Sequence, residues 1–208
     1  MIIVLEGIDG VGKSSVIEDM TNIVTNTIVI PSVITDESQH PEYELGLRIR
    51  ELLACKELTD DEITELEDLF VDMNRIKMEV AKKLDTPYTL VLIDRYWHSN
   101  VIYTGAYKDL PNYRNYQSIL AMEAPDVLAC LTYGDRPTKE TPDEFYEHKT
   151  NTTIPDGYKA ITSIIEEVPN REQHFIEIDT SIYKSSKDVA TALSGLFLSL
   201  ASQKLVNT

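Results

Sequence analysis

The sequence predicts an α/β fold in which a five-stranded parallel sheet lies between two layers of helices, a three-layer sandwich. Short apolar runs alternate along the chain with longer stretches of helical period, which is typical of β-α-β units. Neither an internal repeat nor a linker long enough to separate domains interrupts this pattern. At 208 residues, we therefore expect a single domain spanning residues 1–208, with a sizeable core.

The predicted elements follow from these runs in order. Five apolar runs are predicted as strands, at residues 2–5, 27–31, 88–93, 126–132 and 174–178. Seven stretches of helical period are predicted as helices, at residues 13–25, 43–55, 60–84, 95–107, 113–122, 156–168 and 185–203. The third helix has the clearest start, because Thr59 can cap it and Glu62 stands where a capping box needs its partner. The last is interpreted as a core helix, because its uncharged part is shorter than the roughly 20 apolar residues of a membrane span.

The composition argues against several classes of protein. With 19 Lys and Arg against 35 Asp and Glu, the net charge is −16, whereas surfaces that bind nucleic acid polymers or anionic membranes need contiguous cations. Cys55 and Cys130 lie far apart without Cys-x-x-Cys spacing, which suits a reducing compartment. The first apolar run has no basic segment before it, so we do not expect a signal peptide. We therefore expect a cytoplasmic protein with no nucleic acid polymer or membrane as partner.

Residues 7–14 read Gly-Ile-Asp-Gly-Val-Gly-Lys-Ser and match the pattern G-x-x-x-x-G-K-[ST] in full. In this pattern the glycines let the backbone fold tightly, so that its N–H groups and the N-terminus of the following helix face a phosphate chain. The lysine reaches the terminal phosphates, and the hydroxyl binds Mg²⁺. The segment therefore predicts a P-loop, with nucleotide-binding residues Gly7, Asp9, Gly10, Val11, Gly12, Lys13, Ser14 and Ser15.

A second group of polar residues follows the third predicted strand, which ends in Asp94-Arg95-Tyr96. Ligands bind at the carboxyl ends of parallel strands, so Asp94 and Arg95 are expected beside the P-loop. An aspartate there can hold Mg²⁺ through water, and an arginine can clamp a phosphate with two hydrogen bonds. The sequence contains no Asn-Lys-x-Asp to read guanine, which counts against a GTPase of the Ras type.

Both motifs resemble those of the thymidylate kinase family of nucleoside monophosphate kinases. The segment from Glu6 to Ser15 is similar to that family's P-loop. Asp94-Arg95-Tyr96, followed by Ser99, Tyr103 and Thr104-Gly105-Ala106, is similar to its Asp-Arg-Tyr signature. Weaker similarities occur at residues 48–53, at Asn74-Arg75 and at residues 124–126. The resemblance covers residues 1–132, and beyond them only the order of elements supports it.

The resemblance implies transfer of the γ-phosphoryl group of ATP, with Mg²⁺, to the 5′-phosphate of a pyrimidine deoxynucleoside monophosphate, with dTMP the leading substrate. It assigns catalysis to Lys13, Asp94 and Arg95, and the metal to Ser14 and Asp94. The residues it assigns to the acceptor are Asp9, Arg48, Val71, Arg75, Arg95, Ser99 and Tyr103. In this assignment Asp9 contacts the sugar hydroxyl or the phosphate, Arg75 and Arg95 hold the phosphate and the base, and Tyr103 lies against the sugar. A homodimer is implied as well, through the uncharged faces of the helices near 43–84 and 95–107.

The polar stretch with several prolines after the fourth predicted strand is predicted to be a short lid, over about residues 133–155. Family members without an arginine inside the P-loop usually supply a catalytic cation from the lid. The resemblance therefore implies this role for Arg136, with Lys139 as a second candidate. A closed lid would exclude water and protect the phosphoryl group from hydrolysis.

Three positions depart from the family pattern. Residues 30–33 read Ile-Pro-Ser-Val, and no arginine follows before Arg48, so one phosphate or base clamp is missing or relocated. The family's stacking phenylalanine falls on Val71, whereas Phe70 would point about 100° away on a helix. Ile102 stands where a small residue usually lies beside the sugar and base. These departures fit a divergent enzyme acting on dTMP or on a modified pyrimidine such as 5-hydroxymethyl-dUMP. Such a divergent enzyme could be viral, in which case we expect it in the host cytoplasm.

Two other functions stay open. A deoxynucleoside kinase would need an acidic general base just after the first strand, which Glu6 or Asp9 could supply, and it would phosphorylate thymidine rather than dTMP. A non-catalytic binding module would bind ATP without consuming an acceptor.

Overall fold

The computed structural model describes residues 1–55, 57–133, 154–168 and 174–206. Its centre is a parallel sheet made of β1 (Ile2–Gly7), β2 (Thr27–Ile30), β3 (Leu90–Asp94), β4 (Val127–Thr132) and β5 (His174–Asp179). The strand order is β2-β3-β1-β4-β5, and every neighbouring pair is parallel. Because β1 and β3 are neighbours, the segments that follow them leave the same edge of the sheet side by side.

Helices cover both faces of this sheet. In chain order they are α1 (Lys13–Ile23), α2 (Tyr43–Leu53), α3 (Asp60–Leu84), α4 (Trp97–Tyr103), α5 (Tyr116–Ala121), α6 (Ile154–Lys159), α7 (Ile161–Glu167) and α8 (Ser186–Val206). Short 3₁₀ turns lie at Ala106–Lys108, Leu110–Asn112 and Thr180–Ile182. None of the helices in the described part of the chain is long and apolar enough to cross a membrane.

The side chains of β1 alternate between two hydrophobic cores, as the period of a strand requires. Ile3 and Leu5 pack with α1 and α8, where Met20 and Phe197 are fully buried. Val4 belongs to the other core, which α2, α3, α4, α6 and α7 complete. The sheet is therefore covered on both faces, and the predicted three-layer α/β sandwich is confirmed.

The predicted strands are all confirmed, with ends that differ by at most two residues. The helix predicted at 60–84 is α3, and Thr59 and Glu62 form the expected capping box. The helix predicted near the end of the sequence is α8, which buries Val189 and Phe197 but leaves Leu198 53% exposed. It is therefore a core helix on one face only.

Three predicted helices are shorter or divided in the structure. The one predicted at 95–107 is reduced to α4, because Arg95 and Gly105 have φ values of 60° and 71°, which a right-handed helix does not accommodate. The one predicted at 113–122 is reduced to α5. The one predicted at 156–168 is divided into α6 and α7 at Ala160, which has a ψ of 2°.

Candidate active site

The loop between β1 and α1 folds around its glycines. Gly7, Gly10 and Gly12 have φ values of 147°, 79° and 96°, which residues with side chains rarely adopt. At Gly7 space also excludes a side chain, because a Cβ atom there would lie 2.5 Å from the carbonyl oxygen of Leu131 on β4. α1 begins directly after the loop, at Lys13. The loop and the helix N-terminus thus have the arrangement in which backbone N–H groups bind a phosphate chain.

The side chain of Lys13 folds back over this loop. Its Nζ donates to the carbonyl oxygens of Gly7 at 2.7 Å and of Ile8 at 3.1 Å, and it lies 3.9 Å from Oδ1 of Asp9. Burial, followed by the positive charge of Arg95, lowers the pKa of Lys13 to about 8, although nearby carboxylates act in the opposite direction. The ammonium group is therefore charged at neutral pH and held at the phosphate-binding loop.

Asp9 joins the P-loop to the segment that follows β3. Its Oδ1 forms an ion pair with the guanidinium of Arg95, and its Oδ2 accepts a hydrogen bond from the hydroxyl of Tyr103 at 2.6 Å. The guanidinium carbon of Arg95 also lies 5.1 Å from the centre of the Tyr103 ring. The carboxylate of Asp9 thus holds both Arg95, which precedes α4, and Tyr103, which is the last residue of α4.

Arg95 is held in a left-handed backbone conformation, with a φ of 60°. Its N–H donates to the carbonyl oxygen of Leu5 on β1 at 3.0 Å, and its Nη1 donates to Ser99 Oγ at 3.0 Å and to the Tyr158 hydroxyl at 2.9 Å. Such a conformation costs energy for a residue with a side chain, so its surroundings must stabilise it. A guanidinium fixed on several sides is preorganised to bind a phosphate.

Asp94 and Ser14 are the two residues predicted to bind the metal. Asp94 is the last residue of β3, and its Oδ1 is buried without a hydrogen-bond partner among the described residues. A buried carboxylate oxygen of this kind needs a donor or a cation. Ser14 is exposed in the first turn of α1.

Glu6 is a fully buried carboxylate at the end of β1. It accepts hydrogen bonds from the backbone N–H groups of Tyr96 at 2.8 Å and Ser99 at 3.2 Å, and from the hydroxyls of Ser99 and Tyr158. Burial raises the pKa of Tyr158 well above its usual value, so this hydroxyl stays protonated and able to donate. Glu6 therefore connects the first turn of α4, and Tyr158 of α6, to the central strand β1.

A cleft of about 230 Å³ opens beside this network. Four residues predicted to bind the acceptor line it, namely Asp9, Arg95, Ser99 and Tyr103. Its opposite wall is formed by the segment after β2, by α2 and by α3, through Ser32, Arg50, Phe70, Asn74 and Lys77. Asn100 also lines the cleft, and its Nδ2 is buried without a partner among the described residues. The cleft thus combines fixed cations with an aromatic ring and polar side chains.

Three residues predicted to bind the acceptor lie elsewhere. Arg48 forms ion pairs with Glu65 at 2.8 Å and Glu51 at 2.7 Å on the helix surface. Val71 and Arg75 line a separate groove against the region of α5. The residues of these helices that face the cleft are Arg50, Phe70 and Asn74. The resemblance therefore pointed to the helices that line the cleft but to residues on other faces of them. Successive residues of a helix differ by about 100° in direction, so a shift of one position moves a side chain out of the cleft.

Sequence reasoning did not identify Arg50, Lys77 or Tyr158 as site residues. A signal was available on α3, because Phe70, Asn74 and Lys77 have the spacing of one helix face. For Tyr158 no signal was available, since it lies beyond the segment that carries the resemblance.

A second cleft, of about 300 Å³, lies on the other side of the P-loop. Its walls are formed by Gly10, Gly12 and Ser15, by Tyr133 after β4, and by the segment at 180–186. The P-loop therefore forms part of the wall of two clefts, and a phosphate chain bound to it is accessible from both.

Arg136 and Lys139 lie outside the described residues, as does the predicted lid apart from Tyr133 at its start and Ile154 and Pro155 at its end.

Comparisons with known proteins extend these observations. The family model of thymidylate kinase matches residues 5–182. A thymidylate kinase of Brachyspira hyodysenteriae is 42% identical over 106 residues, which are 50% of this chain and 49% of that relative. A probable thymidylate kinase of Methanobrevibacter smithii is 26% identical over 205 residues, which are 93% of this chain and 94% of that relative.

Two solved structures have the same fold. A thymidylate kinase from Candida albicans has a TM-score of 0.55 at 17% identity, covering 95% of this chain and 91% of its own. A thymidylate kinase from Ehrlichia chaffeensis has a TM-score of 0.54 at 21% identity, covering 93% of this chain and 98% of its own. The family match includes the P-loop, the turn at Asp94 and Arg95, and the helix that carries Tyr158. The chain belongs to the thymidylate kinase family of nucleoside monophosphate kinases.

Proposed function

We propose that this protein transfers the γ-phosphoryl group of ATP to the 5′-phosphate of dTMP. One observation carries the proposal: Asp9 of the P-loop is bonded directly to Arg95 and Tyr103 of the acceptor cleft. The phosphate-binding loop and the acceptor cleft are therefore parts of one rigid cluster. Phosphoryl transfer depends on holding two phosphate chains in line and neutralising their charge, and such a cluster supplies both.

ATP occupies the donor side in this proposal. The N–H groups of the P-loop and the ammonium of Lys13 bind its phosphates. The second cleft, beside Ser15 and the segment at 180–186, receives its nucleoside. This places the γ-phosphate at the edge of the P-loop that carries Asp9.

Mg²⁺ belongs to the same proposal, and the residues present fit it. Ser14 offers an exposed hydroxyl, and Oδ1 of Asp94 is buried without a partner among the described residues. Oxygen ligands of this kind suit Mg²⁺. When bound, the ion neutralises charge on the phosphates. The described part of the chain contains no group of three or more His, Cys, Asp or Glu that could hold a metal, so the phosphates of ATP would complete the coordination.

The acceptor lies in the first cleft. Arg95 is fixed by Asp9, Ser99 and Tyr158 and binds the 5′-phosphate. Phe70 lines the same cleft and provides an aromatic face for the base. Tyr103 lies against the sugar, where its ring leaves little room for a 2′-hydroxyl.

Three further parts of the proposal rest on the family resemblance. Arg136, which is outside the described residues, supplies a cation from a lid to the transferred phosphoryl group. The protein acts in the cytoplasm. It forms a homodimer, which sedimentation of the purified protein would test.

The test is turnover of a panel of acceptors with Mg²⁺-ATP, resolved by chromatography: dTMP, dUMP, 5-hydroxymethyl-dUMP, dCMP, dGMP, dAMP, UMP and thymidine. We expect dTDP and ADP to form in equal amounts, and omission of Mg²⁺ to abolish the reaction. Lys13→Met should abolish turnover, whereas Lys187→Met, which removes an exposed lysine of α8, should leave it unchanged. Consumption of thymidine in place of dTMP would contradict the proposal, and so would ATP binding with no acceptor consumed.

A further inference from the structure

Lys77 is a charged residue buried beneath the acceptor cleft. Its side chain is only 2% exposed, yet it lines the cleft together with Arg95 and Asp9. Its Nζ donates to the carbonyl oxygens of Arg95 at 2.6 Å, Ser32 at 3.2 Å and Asp94 at 3.4 Å. Three backbone carbonyls from two different segments therefore converge on one ammonium group.

The charge of Lys77 is not neutralised by a direct ion pair with any described carboxylate, since its three hydrogen bonds go to carbonyl oxygens. Burial lowers the pKa of Lys77 to about 8, while the more distant charges of Glu6 and Asp94 oppose that effect. Its three acceptors are all carbonyl oxygens, and only an ammonium group has three protons to donate to them, so the group is a cation. Burying a cation without a carboxylate partner is costly, and an uncharged side chain of similar shape would avoid that cost.

The hydrogen bonds of Lys77 hold the turn that directs Arg95 into the site. Arg95 has a φ of 60°, and its N–H is bonded to Leu5 of β1 while its carbonyl oxygen is bonded to Lys77. The turn is therefore held from both sides. A residue with a side chain stays in this conformation only where the surroundings impose it.

The segment after β2 contributes no cation of its own to the cleft. From Pro31 to Leu47 this segment contains no lysine or arginine, so the cations at this wall come from the helices, from Arg50 of α2 and Lys77 of α3. Lys77 reaches this segment from α3 by donating to Ser32. The ammonium group thus places a positive charge at the same wall of the cleft, from a different helix.

We propose that Lys77 is a positioning residue for the acceptor: its ammonium group holds the turn at Arg95 and adds positive charge beneath the site of the acceptor phosphate. This inference rests on the proposed function, because it assumes that the cleft binds a nucleoside monophosphate. Both effects act on the phosphate and not on the base or sugar. The proposal therefore predicts that Lys77 contributes to binding of dTMP but contributes little to binding of thymidine.

The experiment compares Lys77→Met with Lys82→Met, which removes a half-exposed lysine from the same helix. For each protein we measure the KM for dTMP, the KM for ATP, kcat, and the inhibition constant of thymidine as a competitor of dTMP. Since hydrogen bonds to charged groups are worth more than neutral ones, Lys77→Met should raise the KM for dTMP about tenfold or more. The KM for ATP and the inhibition constant of thymidine should stay within about threefold, the limit that we set for an indirect packing effect.

Lys77→Gln serves as the second variant, because its amide keeps a donor for the backbone without the charge. We expect it to fold, as checked by urea unfolding, and to raise the KM for dTMP by about threefold or more, since it loses the charged component. It decides the test if Lys77→Met does not fold. Equal losses for dTMP and thymidine would overturn the proposal, as would an unchanged KM for dTMP in a folded variant. If wild-type protein does not phosphorylate dTMP at all, the proposed function fails; if it does and the Lys77 variants match Lys82→Met, only this inference fails.

Discussion

Gly157 and Ile102 pack so closely that a Cβ atom on Gly157 would lie 2.5 Å from Cγ2 of Ile102. Ile102 was expected beside the sugar and base of the acceptor. In the structure it is a fully buried residue of α4 that packs against α6. The residue after Gly157 is Tyr158, whose hydroxyl lies 2.9 Å from Nη1 of Arg95 and 2.9 Å from Oγ of Ser99. The contact between Gly157 and Ile102 therefore sets how far the Tyr158 hydroxyl extends into the active site.

Gly157→Ala should destabilise the protein and weaken acceptor binding. The added methyl group meets a β-branched side chain that has little freedom to move, so we expect a loss of about 1–3 kcal/mol in the free energy of unfolding, as for other overpacked sites. Displacement of α6 would also move Tyr158 away from Arg95 and raise the KM for dTMP. Urea unfolding and steady-state kinetics measure the two effects.

The control for this substitution is Gly195→Ala in α8, where a Cβ atom would have no neighbour within 4 Å. We expect it to be neutral or to stabilise the protein by about 0.5–1 kcal/mol, because alanine is favoured over glycine in a helix. Ile102→Ala removes Cγ2 together with Cγ1 and Cδ1 and has a cavity cost of its own, so the test is a double-mutant cycle: Gly157→Ala should cost less in the Ile102→Ala background than in the wild type. If the Gly157 and Gly195 variants had equal free energies of unfolding, the contact between the new methyl group and Ile102 would cost nothing, and the prediction would be wrong.

Glu6→Gln should destabilise the protein even though the change is nearly isosteric. The carboxylate accepts hydrogen bonds from two backbone N–H groups and two hydroxyls, whereas an amide has only one acceptor oxygen. With that oxygen on the backbone N–H groups, the hydroxyls of Ser99 and Tyr158 lose their acceptor and must instead accept from the amide, although both already accept from Arg95. We expect a loss of about 2–3 kcal/mol, the range for buried hydrogen bonds to a charged group. Thermal and urea unfolding measure it.

The matched control is Glu177→Gln, at an exposed position of strand β5. It makes the same chemical change on the same sheet and should alter the free energy of unfolding by less than about 0.5 kcal/mol. If Glu6→Gln were as stable as this control, the network around Glu6 would contribute nothing to stability.

Local sequence patterns were sufficient for the strands, the P-loop and the turn at Asp94 and Arg95. Each of these depends on residues that are close together in the chain: an apolar run, a glycine spacing, a polar pair at a strand end. Parallel pairing then brings the ends of β1 and β3 to one edge of the sheet. That is why Asp9 and Arg95 were predicted to lie together.

Local patterns could not predict which face of a helix lines the cleft, or which residues distant in sequence contact each other. The difference between Val71 and Phe70 is a rotation of about 100°, and only the packing of α3 against the sheet decides which of them faces the cleft. The roles of Lys77 and Tyr158 depend on contacts with Arg95, 18 and 63 residues away in sequence. A single sequence contains no record of such long-range contacts.

The pH dependence of ATP binding should reflect Lys13. Burial lowers its pKa to about 8 in the folded protein, so its positive charge is lost as the pH rises through this value. We expect kcat/KM for ATP to fall about tenfold per pH unit above pH 8, as expected when a single essential group of the free enzyme loses its proton. Kinetics between pH 6.5 and 9.5 would measure this, and a flat profile to pH 9.5 would contradict it.

Deprotonation of Lys13 should weaken ATP binding but increase the stability of the folded protein. Its pKa is about 8 when folded, against an ordinary value of 10.5, so between these values the unfolded chain binds more protons than the folded protein. The contribution of Lys13 to stability therefore rises with pH across this interval and is constant below it. Relative to wild type, Lys13→Met should be more stable at pH 7, and its advantage should shrink by pH 9.5. An advantage that does not change with pH would show that Lys13 does not titrate in this range.

Phe70→Ala should weaken acceptor binding, because Phe70 lines the cleft on the same helix face as Asn74. Removing an aromatic ring on which a base stacks costs about 1–3 kcal/mol of binding free energy, so the KM for dTMP should rise about 5- to 150-fold. The KM for ATP should not change, since the ATP phosphates bind at the P-loop. Steady-state kinetics with each substrate varied in turn would measure both values.

Val71→Ala is the control that decides between the two faces of α3. It truncates the adjacent residue, which lines a separate groove with Arg75 and Met122, and it should leave the KM for dTMP within about twofold because that groove is not part of the acceptor cleft. The opposite result, a large effect at Val71 and none at Phe70, would mean that α3 binds the base through the face first indicated by the family resemblance. Phe70 and Val71 are adjacent on one helix, so a general loss of helix stability would raise the KM for dTMP in both variants. A direct contact with the acceptor would raise it in only one of them.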